Sequence, residues 1–109
     1  MKELLNDVNN CLTVLSEYKI KYSPSQDNWT IAVTEKVLKI LKDHLENGNN
    51  IGTRLLRASK DMYVVAFRNF DGTELLQEID NLTTKFSSIY PEYEKLEPLG
   101  MEFGEEDPI

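Results

Sequence analysis

Apolar residues in the first part of the chain recur at the spacing of one helical face. They follow one another in steps of three and four, with two flanking leucines: Leu4, Leu5, Val8, Cys11, Leu12, Leu15 and Tyr18. This period predicts an amphipathic helix over about residues 2 to 17. Asn6, Asn9 and Asn10 then fall on its polar side.

The pattern changes from helical spacing to alternation near residue 18. Apolar and polar residues alternate in YKIKY and again in WTIAV, on either side of the turn-forming segment SPSQDN. Alternation around turn residues is typical of a β-hairpin, and the β-branched and aromatic residues favour strands. A first hairpin is therefore predicted over residues 18 to 33.

This segment also allows a helix start. Ser23 can cap a helix with Pro24 at its first position, and Gln26 then completes a capping box. The hairpin is preferred because of the strand formers in NWTIAV.

The helical period returns over residues 34 to 47. Val37, Leu38, Leu41 and Leu45 form the apolar face of this second predicted helix, and Gly48 in NGNN marks its end.

Residues 51 to 70 can be interpreted in two ways. The segment TRLLRASKDMYVVAFRNF contains two apolar runs around the turn-like SKD, and MYVVAF is rich in strand formers. A second hairpin is therefore predicted. The alternative is one helix whose apolar face consists of Leu55, Leu56, Tyr63, Phe67 and Phe70.

The third predicted helix has a distinct start. Asp71 is its predicted N-cap with Glu74 as capping-box partner, and Phe70 is placed to pack on Leu75. Pro91 sets its end. The apolar seam between these limits consists of Leu75, Ile79, Leu82, Phe86 and Ile89.

The order helix, hairpin, helix, hairpin, helix predicts an α+β fold. Four antiparallel strands with three helices over one face would bury both kinds of apolar stripe. An all-α bundle is the alternative. At 109 residues the chain suits one domain with its own core. We expect this domain over residues 1–90, followed by an acidic, partly docked tail at 91–109.

The net charge of −7 is concentrated at the C-terminal end. Residues 90 to 109 carry −6 of it, which indicates a basic protein surface as partner rather than a polyanion. Apolar side chains between the acids offer anchors for such a contact. The predicted partner-binding residues are Glu92, Tyr93, Glu94, Glu97, Glu102, Phe103, Glu105, Glu106 and Asp107. Alternatively, KLEPLGMEF packs back on the domain and leaves only GEEDPI free.

Residues suited to catalysis are scarce. One cysteine and one histidine cannot supply a Cys/His zinc site, and a lone cysteine forms no internal disulfide. Cys11 lies on the buried stripe of the first helix and His44 at the edge of the second. The glycines match no phosphate-binding pattern. The sequence therefore predicts no catalytic residue, metal or cofactor, and a protein that is not an enzyme unless Cys11 or His44 is reactive.

One cluster of cations and aromatics resembles a polyanion-binding surface. It consists of Arg54, Arg57, Lys60 and Arg68 with Tyr63, Phe67 and Phe70. Such side chains can bind single-stranded nucleic acid, but the acidic chain opposes phosphate binding, so no direct nucleic-acid contact is expected. An intermediate interpretation is that the acidic tail folds back on this cluster.

These features predict a small acidic inhibitor that neutralises a basic partner, such as an immunity protein or an antitoxin against a toxic nuclease. The alternative is a chaperone or adaptor for a secreted or assembling protein. The N-terminal segment lacks the apolar run and cleavage site of a secretory signal, and no stretch approaches the roughly 20 apolar residues of a membrane span. A cytoplasmic location without membrane contact is expected.

Overall fold

Helices build most of the described chain. A computed structural model describes residues 2–22 and 28–100, apart from the side chains of residues 22, 28 and 29. The four α-helices are α1 (Lys2–Tyr22), α2 (Asn28–Glu46), α3 (Thr53–Asn69) and α4 (Glu74–Ile89), and a 3-10 helix, Pro91–Lys95, follows. Each α-helix packs against the next, and α4 also packs against α1, which closes a four-helix bundle.

The apolar faces of all four helices meet in one core. Cys11, Leu41, Met62 and Ile79 represent the four helices in it, and each is fully buried. Burying one such apolar side chain contributes about 1.5–3 kcal/mol for the larger residues. The bundle is therefore held mainly by the helical stripes that the sequence displays.

The predicted α+β fold with a four-stranded antiparallel sheet is wrong, because the part of the chain that the structure describes contains no strand. The all-α alternative is the observed architecture. The first predicted hairpin is divided between the end of α1 and the start of α2. Tyr18 is buried whereas Ile20 is 83% exposed, as expected on a helix and opposite to the shared face of a strand. The alternative helix start at residues 23–27 lies outside the described residues.

Packing explains why strand-forming residues are helical at the start of α2. Ile31 and Val33 are buried in the core, and tertiary contacts of this kind override intrinsic β-propensity. The buried Thr34 hydroxyl donates to the Thr30 carbonyl oxygen at 2.9 Å, so it needs no partner outside the helix. The second predicted helix consequently begins at residue 28 rather than 34.

The second predicted hairpin is also wrong, since residues 53 to 69 form the single helix α3. The turn-like SKD lies in the middle of this helix. Its buried face includes Ala58, Met62, Val65 and Ala66, whereas Phe67 is 58% exposed. The alternative interpretation as one helix was correct for the backbone but placed Phe67 on the wrong side.

The apolar seam of α4 is confirmed over most of its length. Leu75, Ile79, Leu82 and Phe86 are fully buried, whereas Ile89 is 43% exposed. The predicted N-cap Asp71 is wrong by two residues, because the cap is Thr73, whose hydroxyl oxygen accepts from the Leu76 N–H at 3.3 Å. Pro91 follows the helix end as predicted.

Charged side chains connect the helices at the surface. Lys19 of α1 contacts Glu35 of α2 at 3.0 Å, and Lys85 of α4 contacts Glu3 of α1 at 3.1 Å and also Asp7. Partly exposed pairs of this kind add little to stability compared with the core. Among the described residues, no helix has the length and apolarity needed to cross a membrane.

Replacing Ile79 with alanine should lower the free energy of unfolding by about 2–5 kcal/mol, because it removes a fully buried side chain and leaves a cavity. Urea denaturation followed by circular dichroism measures this loss. Ile89→Ala on the same helix is the matched control and should cost less than about 1 kcal/mol. Equal losses in the two variants would contradict the observed orientation of α4.

Candidate partner-binding site

The chain turns back after α4, and residues 91–100, here called the docked segment, lie beside α3 and α4. Tyr93 anchors this segment at 5% exposure, with its ring centroid 5.8 Å from that of Phe86. The Ser59 hydroxyl donates to the Leu56 carbonyl oxygen at 2.6 Å, so the Tyr93 hydroxyl, 3.1 Å away, donates to Ser59. Burial raises the pKa of the Tyr93 phenol, and the Glu94 carboxylate raises it further. The phenol is therefore protonated, and able to donate, at neutral pH.

Two cations of α3 hold the middle of the docked segment. Arg57 Nε donates to the Glu97 carbonyl oxygen at 2.8 Å, and its Nη2 donates to that of Pro98 at 3.4 Å. Lys60 Nζ lies 4.8 Å from the centroid of the Tyr93 ring, within the range of a cation–π contact. Both cations are thus engaged by the segment through its backbone and its aromatic ring.

Asp61 holds the far end of the docked segment. Asp61 is 1% exposed, and its carboxylate accepts hydrogen bonds from the Leu99 N–H at 2.6 Å and the Gly100 N–H at 2.9 Å. Two adjacent amides can point at one carboxylate because the chain turns at Gly100, whose φ of 81° suits glycine. Burying a carboxylate costs free energy unless it is hydrogen-bonded. These two hydrogen bonds therefore stabilise the buried Asp61 carboxylate and hold the end of the docked segment against α3.

One side of α3 carries the charged side chains that make these contacts. Arg57, Lys60 and Asp61 are three and four residues apart, so they are neighbours on the helix surface. The strand interpretation hid this relation by placing SKD in a turn. The helical alternative does indicate that Asp61 needs a partner. On a helix Asp61 lies next to Met62 and one turn after Ala58, both of which are buried, and a buried acid requires a hydrogen-bond partner.

Two adjoining hollows form a groove on the outer side of α3 and α4. The first has a volume of about 500 Å³ and is closed at one end by the docked segment, including Glu94. The second has a volume of about 400 Å³ and is lined in part by Phe67. Tyr63 and Asp80 line both hollows, which makes them one continuous surface, here called the α3–α4 groove.

The α3–α4 groove combines apolar walls with unpaired acids. Tyr63 and Phe67 stack with ring centroids 6.4 Å apart, and Leu76 packs partly buried beside them. Asp80 and Glu94 are exposed. Within residues 2–22 and 28–100, neither carboxylate forms an ion pair. The groove therefore combines aromatic surface with two exposed acids, and Lys60 also lines its first hollow.

The predicted partner-binding residues have different environments. Glu92, Glu94 and Glu97 are exposed on the docked segment, whereas Tyr93 is buried as its anchor. Of these three acids, Glu94 lines the first hollow of the groove, whereas Glu92 and Glu97 are not among its lining residues. The remaining predicted residues lie outside the described part of the chain: Glu102, Phe103, Glu105, Glu106 and Asp107.

Sequence interpretation predicts Glu94 as a binding residue of the groove but misses Asp80. It places Tyr63 and Phe67 on a hairpin whose surface resembles a polyanion-binding one. In that cluster, Phe70 belongs to the core, while Arg57 and Lys60 contact the docked segment. Lys60 and Tyr63 of this cluster line the first hollow together, whereas Phe70 is separated from them in the core.

Cys11 is a core residue, as its position on the helical stripe predicts. It is fully buried, and burial raises the pKa of its thiol from 9.0 to about 12, with Glu78 and Asp7 adding to the shift. His44 is part-buried, and its Nδ1 lies 3.0 Å from the Ile40 carbonyl oxygen one turn earlier in α2. Among the described residues, no group of three or more His, Cys, Asp or Glu side chains is placed to hold a metal ion.

Comparisons of the chain with known protein families, with curated proteins and with solved structures found no match.

Replacing Asp61 with asparagine should release the docked segment while preserving side-chain size. The neutral amide cannot accept two backbone N–H groups as the carboxylate does, and we expect a loss of about 1–3 kcal/mol. Faster hydrogen exchange of the Leu99 and Gly100 amides, with protection in α4 retained, is the diagnostic result. Asp80→Asn, which alters an exposed acid, is the control. Unchanged exchange at Leu99 and Gly100 in the Asp61 variant would show that the carboxylate does not hold the segment.

Cys11 should resist alkylation in the folded protein at pH 8. A pKa raised from 9.0 to about 12 lowers the thiolate fraction about a thousandfold. Iodoacetamide labelling followed by mass measurement should therefore be slow in buffer and fast in urea. Because the folded-state pKa lies above the unfolded one, this burial favours folding below pH 9, and its contribution is lost as the pH rises towards 12. Rapid labelling of the folded protein at pH 8 would disprove the assignment of Cys11 to the core.

Proposed function

We propose that the protein is a small acidic binding protein that neutralises a basic protein partner by charge complementarity. Its role is that of an immunity protein or an antitoxin, with a toxic enzyme such as a nuclease as partner. Blocking a substrate-binding cleft requires no chemistry of the blocking protein. It requires complementary charge and shape, held rigidly.

The fixed position of the docked segment is the observation that carries this proposal. Glu92, Glu94 and Glu97 are exposed, yet the buried Tyr93 anchors the chain between them, and Arg57 and Asp61 hold the backbone from residue 97 to 100. Charges that are already in place lose less conformational freedom on binding than charges on a mobile chain. They also accelerate encounter with a basic surface, most strongly at low salt.

The α3–α4 groove adds the apolar contacts that such a complex needs. Charged rims mainly steer association, whereas buried aromatic anchors supply most of the binding free energy. Phe67, at 58% exposure, and Tyr63 are suited to that role beside Asp80 and Glu94. The proposal thus assigns steering to the acids and anchoring to the groove.

The same groove supports the alternative function of a chaperone or adaptor. An apolar groove between two helices can hold a segment of an assembling protein. In that case the contacts are mainly apolar and tolerate salt, whereas the association rate of an inhibitor falls steeply as salt increases. The proposal includes a cytoplasmic location, where the lone cysteine stays reduced.

Neutralising the acids of the docked segment should weaken partner capture. Full-length protein immobilised as bait is compared with the triple variant Glu92→Gln, Glu94→Gln, Glu97→Gln, and retained proteins are identified by mass. We expect a basic partner whose association rate falls about tenfold or more in the triple variant, because steering charge is lost. A chain ending at Gly100 keeps the contacts of Asp61 and measures the effect of residues 101–109 separately.

The matched control for the triple variant removes the same charge elsewhere. Glu17→Gln, Glu46→Gln and Asp71→Asn alter exposed acids distant from the docked segment in sequence. This control should retain the partner at the full association rate. Equal loss in both variants, a partner without excess positive charge, or an association rate independent of salt would each contradict the inhibitor proposal. The last result would favour the chaperone alternative.

A further inference from the structure

We infer that the α3–α4 groove binds an arginine side chain of its partner, with the guanidinium stacked on Tyr63 and Phe67 and hydrogen-bonded to Asp80. This inference rests on the proposed function and names the chemical group that the groove recognises. It concerns the second hollow, between Phe67 of α3 and Asp80 of α4.

Phe67 is 58% exposed, and Tyr63 is partly buried but lines both hollows of the groove. Tyr63 and Phe67 occupy successive turns of α3, with centroids 6.4 Å apart and ring planes inclined by 25°. Phe70 and Phe86, in contrast, are fully buried. A stacked aromatic pair at the wall of a hollow offers π-electron density to a cation, and a planar cation can lie against it with the largest contact.

Asp80 supplies the complementary charge at the same place. It is the one charged residue among the described residues that line the second hollow. Its carboxylate forms no ion pair within residues 2–22 and 28–100, so its oxygens are available to an incoming donor. A carboxylate accepts two parallel N–H groups from a guanidinium, a geometry that fixes orientation as well as distance.

Arginine matches this combination better than lysine does. Its guanidinium is planar, is more weakly hydrated than an ammonium group, and can stack and form a bidentate pair at once. The lysine ammonium is compact and strongly hydrated, so entering an apolar hollow costs it more solvation. The groove is therefore expected to distinguish the two cations, whereas a diffuse acidic surface would not.

Titration of the labelled full-length protein with short peptides tests this inference. Octa-arginine, octa-lysine and octa-citrulline are added in turn, and backbone amide shifts are followed by nuclear magnetic resonance. We expect octa-arginine to bind at least about fivefold tighter than octa-lysine, with shifts concentrated near Tyr63, Phe67 and Asp80. Octa-citrulline, which keeps the shape without the charge, should bind weakest.

Two substitutions separate stacking from charge. Phe67→Leu keeps an apolar side chain but removes the ring, so it should reduce octa-arginine binding to the level of octa-lysine. Ile20→Leu, at another exposed apolar position, should change neither. Asp80→Asn should weaken octa-arginine binding about tenfold, compared with a small effect of Glu46→Gln, which removes the same charge from α2. Circular dichroism confirms that each variant is folded.

Equal affinity for octa-arginine and octa-lysine would overturn the inference. Shifts centred on residues 92–97 alone, or an unchanged affinity in Phe67→Leu, would do the same. None of these outcomes affects the proposed function, because partner capture by the Glu92, Glu94 and Glu97 variant tests that separately. Conversely, arginine selectivity at the groove together with a partner that is not basic would support this site and reject the inhibitor.

Discussion

The buried carboxylate of Asp61 in α3 requires hydrogen-bond donors. The donors that it binds determine where the chain after α4 lies, and so which charges the protein displays on that side. At 1% exposure the charge of Asp61 is removed from water, and the donors to its two oxygens include the N–H groups of Leu99 and Gly100. Those donors are 38 and 39 residues away in sequence. Satisfying one buried acid therefore ties the end of the described chain to the middle of the bundle.

This attachment changes the charge that the protein presents. Helix α3 carries four cations and one acid, and alone it would be a basic helix. Arg57 and Lys60 contact the docked segment. The segment itself exposes Glu92, Glu94 and Glu97 to solvent. The segment thus covers part of a basic face with an acidic one. Its charges gain a fixed geometry in the process, which a free acidic tail would not provide.

Helical periodicity revealed the elements whose apolar stripes are long and regular. Local spacing alone was enough to predict the apolar faces of α1 and α4, because such a face packs on any apolar surface and its prediction does not depend on which helix it contacts. Short runs such as Ile31 to Val33 were misassigned, since strand-forming residues adopt a helix when the core requires it. Whether Phe67 or Met62 faces inwards depends on how α3 packs against its neighbours, and its sequence alone allows both orientations.

The sequence predicts only part of the candidate site, because most of its contacts join residues that are far apart in the chain. The acids of residues 92 to 97 stand out by composition, so they could be proposed at once. The contacts that make them rigid link residues about 40 positions apart, and no local pattern connects Arg57 with Pro98 or Asp61 with Leu99. Asp80 and Phe67 likewise come from different helices and become one surface only after α3 and α4 pack.

Docking and recognition are physically coupled because they share residues. Tyr93 and Pro98 belong to the docked segment and also form the end wall of the α3–α4 groove, while Tyr63 lines the groove from the α3 side. A partner seated there meets a wall that exists only when Asp61 and Arg57 hold the segment. By thermodynamic reciprocity, a ligand that prefers the closed wall also stabilises the docked segment. Residues that never touch a partner can therefore set its affinity through the fraction of molecules in which the segment is docked.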